Sequence, residues 1–231
     1  MPKSLKEKNQ TQLITFVLAN AIGLGFLLQG FKQVLMLLDS VTKGNIAVIF
    51  RLVAIPAGLA LLIGILGWAV PRRWKEIVIF WRIDRNCLPS SRAFSVIALN
   101  DPRIDRKHLA KRHGPLPSEP GQQTVLWYNL YRKNAENGAV EDAHCAYLRY
   151  REMTALAVSV MAIFLIAAGV LHPSSRTIPV GTSIIAAEYL VLLVAARNAA
   201  THFVSNVLAI ESAAGSEKII AVSNAACRTR T

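Results

Sequence analysis

Glu188 is the residue whose surroundings promise the most chemistry. It stands inside the apolar run 177–196, where an ionised side chain costs about 2.5–3.5 kcal/mol on insertion scales, so it must face the interior of a helix bundle. Asn20 and Ser159 lie in two other apolar runs. Counted at a rise of about 1.5 Å per residue, all three sit about 9–12 Å below one membrane surface. The sequence therefore predicts an intramembrane polar layer of Asn20, Ser159 and Glu188, and two readings of it stay open. In one, the carboxylate lines a hydrophilic constriction or proton-sensitive gate. In the other, a protonated Glu188 bonded to Asn20 or to a backbone carbonyl is packing glue.

A second set of residues suits anion recognition. Arg103, Arg106, Lys107, Lys111 and Arg112 crowd one short segment, with Arg92 upstream. Such charge can hold lipid headgroups, nucleic acid or an anionic nucleotide, and Trp127, Tyr128 and Tyr131 could stack on a base. Retention of Lys and Arg on the cytoplasmic side of a membrane protein would supply many of these charges without any ligand.

Other chemistries find little footing. His108, His113 and His144 with Cys87 and Cys145 lack the HxxxH or CxxC spacing of a metal site. Asp84, Asp101 and Asp105 could suggest a metal-dependent nuclease, but Asp101 suits a helix cap and Asp105 lies between Arg103 and Arg106, where salt bridging is expected. GxxxxGK[ST], GxGxxG and GxSxG are missing, so neither a phosphate loop nor a hydrolase elbow is indicated. The sequence predicts a non-enzymatic protein without a cofactor.

The elements that must position these residues are membrane helices. Runs 13–31, 52–70, 153–171 and 177–196 each approach the roughly 20 residues needed to cross the hydrocarbon core. Hydrophobic residues make up 53% of the chain and mean hydropathy is +0.37, yet the formal net charge is +12. The charge is therefore concentrated outside the runs. The first run continues too far for a cleaved signal peptide and reads as a signal anchor. A turn over residues 39–45 and another over 172–177 make two antiparallel hairpins. Pro56 is expected to kink the second run, while Gly23, Gly25 and Gly30 with Ala186, Ala187, Ala195 and Ala196 permit close helix approach.

Arg72, Arg73, Lys75, Arg149 and Arg151 flank the runs, which predicts a multi-pass membrane protein with both termini and the central segment in the cytoplasm. Cys87, Cys145 and Cys227 are then reduced thiols. Within the central segment, Trp74, Ile77, Val78 and Trp81 recur at helical spacing and suggest an interfacial helix over 72–85, with a buried strand over 77–81 as the alternative. A basic helix over 102–113 is expected to start at an Asp101 cap and stop at Gly114. A further helix over 122–135 follows, and 140–151 should run directly into the third span.

The expected organisation is an N-terminal tail 1–12, hairpin 13–70, a basic and aromatic module 71–151, hairpin 152–198 and a C-terminal tail 199–231. The fold class is an all-α membrane protein, with two transmembrane hairpins flanking a small, mainly helical cytoplasmic module.

The strings Leu88-Pro-Ser-Ser-Arg-Ala-Phe-Ser95, Asn100-Asp-Pro-Arg-Ile-Asp105, Trp127-Tyr-Asn-Leu-Tyr-Arg132 and Ala196-Arg-Asn-Ala-Ala-Thr-His-Phe-Val204, set in this frame, resemble uncharacterised bacterial four-span proteins. In general plan the chain is also similar to the small four-span effectors of anti-phage defence systems. That resemblance implies a homo-oligomer that perturbs the inner membrane, as an effector or pore, when a cytoplasmic protein partner or an anionic nucleotide engages it. The alternative function is a membrane-anchored scaffold that recruits a soluble cytoplasmic partner. The partners expected are thus the lipid bilayer, further copies of the chain and a cytoplasmic protein or nucleotide.

Overall fold

The computed structural model describes residues 5–29, 46–84, 86–171, 173 and 176–214. The turn expected over 39–45, Gly30, Arg85, His172 and Cys227 lie outside them. The described residues are helical with no strand. The helices are α1 (Leu5–Gln29), α2 (Ile46–Ala69), α3 (Arg72–Phe80), α4 (Arg106–His113), α5 (Pro120–Lys133), α6 (Gly138–Leu171) and α7 (Thr177–Ala213). Three helices, α1, α6 and α7, are long and apolar enough to cross a membrane. The α2–α3 pair adds a fourth candidate if it counts as one bent span, its two arms (Ala54–Ala69 and Arg72–Phe80) meeting at 95°.

The chain divides into two compact units, residues 1–79 with 148–196 and residues 80–147 with 197–231. The first unit closes on an apolar core of Ala21 and Leu24 from α1, Ile63 from α2, Leu156, Val160, Ile163 and Phe164 from α6, and Ile185 from α7. The four α6 positions follow the i, i+4, i+7, i+8 pattern of a single helix face. Two glycines allow this packing. A Cβ at Gly67 would collide with Leu156, and one at Gly181 with the ring of Phe164. The small residues expected to serve this purpose behave otherwise in α1. Gly23 meets nothing within 4 Å, and Gly25 has ordinary contact with Pro56.

Helix α3 stops earlier than the sequence suggests. Trp81 takes φ +51°, a left-handed conformation uncommon for a side chain of its size, and the helix ends at Phe80. Its helical backbone excludes a strand over 77–81. Lys75 and Ile79 are its buried positions, while Trp74 is exposed. Lys75 Nζ is held by Glu152 of α6, and the Tyr189 hydroxyl of α7 donates to the Val78 carbonyl at 2.8 Å.

In the second unit the expected crossing over 87–100 is an irregular helical passage. A 3₁₀ turn (Pro89–Arg92) passes into a π turn (Ala93–Ile97) and one α turn (Ala98–Asn100). Helix α4 begins four residues later than expected. Its cap is Asp105, whose carboxylate accepts from the His108 amide at 3.0 Å. Asp101 instead accepts from the Arg103 backbone amide and pairs with the Arg103 guanidinium at 2.7 Å. The two aspartates thus exchange the roles that the sequence suggests, because Pro102 and Arg103 form a turn before the helix. The stop is as expected, with Gly114 at φ +82°, a conformation that favours glycine.

The next helix, α5, spans Pro120–Lys133 rather than 122–135. Helix α6 is continuous from Gly138 through Leu171, so the segment preceding the third apolar run joins it without a break. Helix α7 has 37 residues, about 55 Å at the standard rise, against a hydrocarbon core of about 30 Å. Its backbone stays helical to Ala213, whereas the sequence reading begins a tail at residue 199.

Candidate functional site

Two groups of polar residues stand out, one in each unit. In the first unit, Asn20 Nδ2 of α1 donates to Glu188 Oε1 of α7 at 3.0 Å and also to the Phe16 carbonyl at 3.2 Å. Both residues come from apolar helices, and both are half-buried. Ser159 does not join them. Its hydroxyl donates to the Ala155 carbonyl one turn back in α6, and the residue lines an apolar recess with Leu66, Trp74 and Lys75. The predicted layer is thus a pair: α1 and α7 bring Asn20 to Glu188, while the serine satisfies itself within its own helix.

In the second unit the aromatic residues build the interior. Phe203 of α7 is the hub, with Trp127 edge-on at 5.2 Å, Tyr131 edge-on at 5.2 Å and His144 stacked at 4.6 Å. Trp127 is also stacked on Tyr131, whose hydroxyl is hydrogen-bonded to His144 Nδ1 at 3.1 Å. Burial, followed by the nearby Tyr128, raises the Tyr131 hydroxyl above its ordinary pKa. Of the three predicted stacking residues, Trp127 and Tyr131 therefore have their rings engaged in this cluster, and Tyr128 is exposed.

Beside that cluster lies Glu211, a fully buried carboxylate. Lys133 Nζ donates to its Oε1 at 2.8 Å, Asn134 Nδ2 to its Oε2 at 2.9 Å, and His113 Nε2 lies 3.1 Å from Oε1. Arg112 Nη1 is 3.1 Å from Oε1 and donates to the Glu211 carbonyl at 3.0 Å. Burial acts to raise the Glu211 pKa, but hydrogen bonds from Asn134, Lys133 and His113 outweigh it and hold the carboxyl below its ordinary value. Helices α4, α5 and α7 are joined at this residue. The apolar pattern of α7 drew attention to Glu188 and away from Glu211, although the acidic residue beyond Ile210 was the available signal.

The predicted basic residues separate. Arg112 is committed to Glu211, and Arg103 to Asp101 and to Asn206 Oδ1 at 3.2 Å. The Arg103 pair lowers the Asp101 pKa to about 2. Arg106, Lys107 and Lys111 are exposed on α4. Arg92 and Arg103 instead line a cleft of about 560 Å³, together with Arg82, Arg197 and His202, which the sequence did not single out. Arg197 comes from α7, more than 90 residues after Arg103, so no local spacing could reveal the grouping.

A further buried side chain holds one wall of that cleft. Gln123 Oε1 accepts from the Phe94 and Ser95 amides at 3.0 and 3.2 Å, and its Nε2 donates to the Ser118 carbonyl at 2.8 Å. These bonds satisfy backbone donors at the π turn, where the regular i−4 ladder is interrupted.

Among the described residues no cluster of His, Cys, Asp or Glu has the arrangement of a metal centre. No protein-family model, curated protein or solved structure matches the chain.

Proposed function

We propose that this protein is an oligomeric effector or channel-like protein of the bacterial inner membrane, with four spans in two hairpins, controlled through its helical module in the cytoplasm. The observation that supports this reading is the Asn20–Glu188 pair. An ionisable group within a span costs about 2.5–3.5 kcal/mol, whereas an interhelical hydrogen bond in a membrane returns about 0.6–1.7 kcal/mol. The bond alone does not offset the cost of the ionised form, so a Glu188 kept charged here has a use other than packing.

Only 17% of the apolar window in α1, and the same share in α7, is buried, which leaves broad apolar faces for lipid or further copies of the chain. A polar path would then form between copies, or between the hairpins of one copy, near Glu188. The similarity in plan to anti-phage effectors extends the proposal to a defence role. A membrane-anchored scaffold is the second reading, favoured by the exposed Arg106, Lys107 and Lys111 on α4, a surface suited to an acidic partner.

Isosteric substitution separates gating from packing. Glu188→Gln keeps the bond to Asn20 without a titratable group, and Glu188→Leu removes the polar contact. If the carboxylate lines a path, the Gln variant assembles normally in detergent but changes membrane depolarisation or its pH dependence in cells overproducing it. Wild-type depolarisation and intact assembly in both variants would eliminate Glu188 as a functional residue and shift weight to the scaffold.

A further inference from the structure

We propose that the arginine-lined cleft of the second unit is a binding site for a small ligand bearing a phosphate or diphosphate group. Four guanidinium groups, from Arg82, Arg92, Arg103 and Arg197, line one cleft, and Asp101 is the carboxylate among the lining residues. Guanidinium forks present paired N–H donors that match the oxygens of a phosphate, and several forks around one opening favour a multiply charged anion.

The arginines are not equivalent. Arg103 is matched by Asp101, and Arg82 lies 3.3 Å from Asp84. Arg197 is placed with its guanidinium 4.8 Å from the centre of the Trp81 ring, a cation–π contact that restrains it. Arg92 is exposed and has no hydrogen-bond or ion-pair partner among the described residues. It also lines a second recess of about 420 Å³, again with Arg82, so its fork is available from two sides.

The remaining lining sets the ligand's size and character. Asn100 offers a neutral amide, the Thr201 and Ser205 hydroxyls donate to the Arg197 and Thr201 carbonyls of their own helix, and Phe80, Val96 and Ile97 form an apolar wall. About 560 Å³ falls within the range of about 300–1,000 Å³ typical of small-molecule sites and far exceeds a bare phosphate. The fit is to an organic body carrying a phosphate, either a soluble nucleotide-like molecule or the headgroup of an anionic phospholipid. This site is distinct from the basic face of α4 and does not rest on the channel reading, since binding is measured without ion flux.

The test uses the full chain in nanodiscs of neutral phosphatidylcholine, titrated calorimetrically with pyrophosphate and with adenosine diphosphate. Saturable binding is expected for at least one probe. Arg92→Gln should weaken it about 10- to 100-fold, the equivalent of one charge-assisted contact of about 1.5–3 kcal/mol. Arg92→Lys, which keeps the charge and loses the fork, should fall between, with unchanged melting temperatures in both variants. Lys107→Gln with Lys111→Gln should leave binding within twofold.

Discs containing phosphatidylglycerol distinguish the ligand's source. If a lipid headgroup occupies the cleft, they suppress pyrophosphate binding in the wild type, and Arg92→Gln releases phosphatidylglycerol from the purified protein. If the ligand is soluble, pyrophosphate or adenosine diphosphate binds equally in both discs. The proposal is overturned if neither probe saturates in neutral discs and phosphatidylglycerol retention is the same with and without Arg92. It is equally overturned if the lysine variants lose as much binding as Arg92→Gln.

Discussion

Glu211 illustrates how much of this protein's stability is decided at single polar residues. A buried carboxylate that serves four side chains is well satisfied in place and costly to disturb. Glu211→Gln keeps an acceptor but loses the charge that Arg112, Lys133 and His113 face. Because Lys133 remains half exposed, the expected loss is about 2 kcal/mol, typical of a hydrogen bond to a charged group. The pH dependence follows from the lowered native pKa. Stabilisation from Glu211 is complete above the ordinary value of 4.5 and fades as pH falls through the lower native value. Melting curves of the full chain in detergent should show a constant wild-type-to-variant gap near neutrality that narrows only in acid. A gap that persists undiminished at low pH would assign the effect to shape rather than charge. The sequence exposes such residues unevenly. Glu188 is conspicuous in an apolar run, but Glu211 and Gln123 matter through partners 77 and 29 positions away, and a linear pattern holds no trace of those distances.

At the scale of elements, hydrophobic length and helix punctuation were the legible signals. The apolar helices α1 and α7, the continuous entry into α6 and the Gly114 stop all follow from them. Start positions were less legible, since Asp101 and Asp105 are chemically interchangeable caps and only the turn through Arg103 chooses between them. Close packing was legible only in part: Gly25 meets Pro56 and Ala196 is fully buried, but glycine is common throughout these helices and the sequence does not say which one faces a large neighbour. Gly181 does, against Phe164. Gly181→Ala should therefore overpack the α6–α7 contact and cost about 1–3 kcal/mol, while Gly23→Ala, placed in open space, should be neutral or slightly stabilising. Comparing the melting temperatures of the two variants checks this. Equal, small effects would show that Phe164 yields easily.

For the molecule as a whole, composition announced a helical chain rich in membrane-length segments, and the three or four candidate spans agree with it. The grouping of distant arginines into one cleft was beyond it, because tertiary proximity arises only once α7 continues past its apolar run. The right-angle break between α2 and α3 has an optical consequence. It sets Trp68 and Trp74 on exposed surfaces, at 83% and 60%, and Trp81 follows at 62%, whereas Trp127 is 8% exposed inside the aromatic cluster. The four indoles are therefore divided into three surface emitters and one shielded emitter. In vesicles containing brominated phospholipid, quenching should remove most of the emission, and Trp68→Phe should reduce the quenched amplitude. Trp127→Phe should leave that amplitude unchanged. Loss of quenching on replacing Trp127 would contradict the assignment; otherwise the exposed indoles report fluorescently on contact between this surface and lipid.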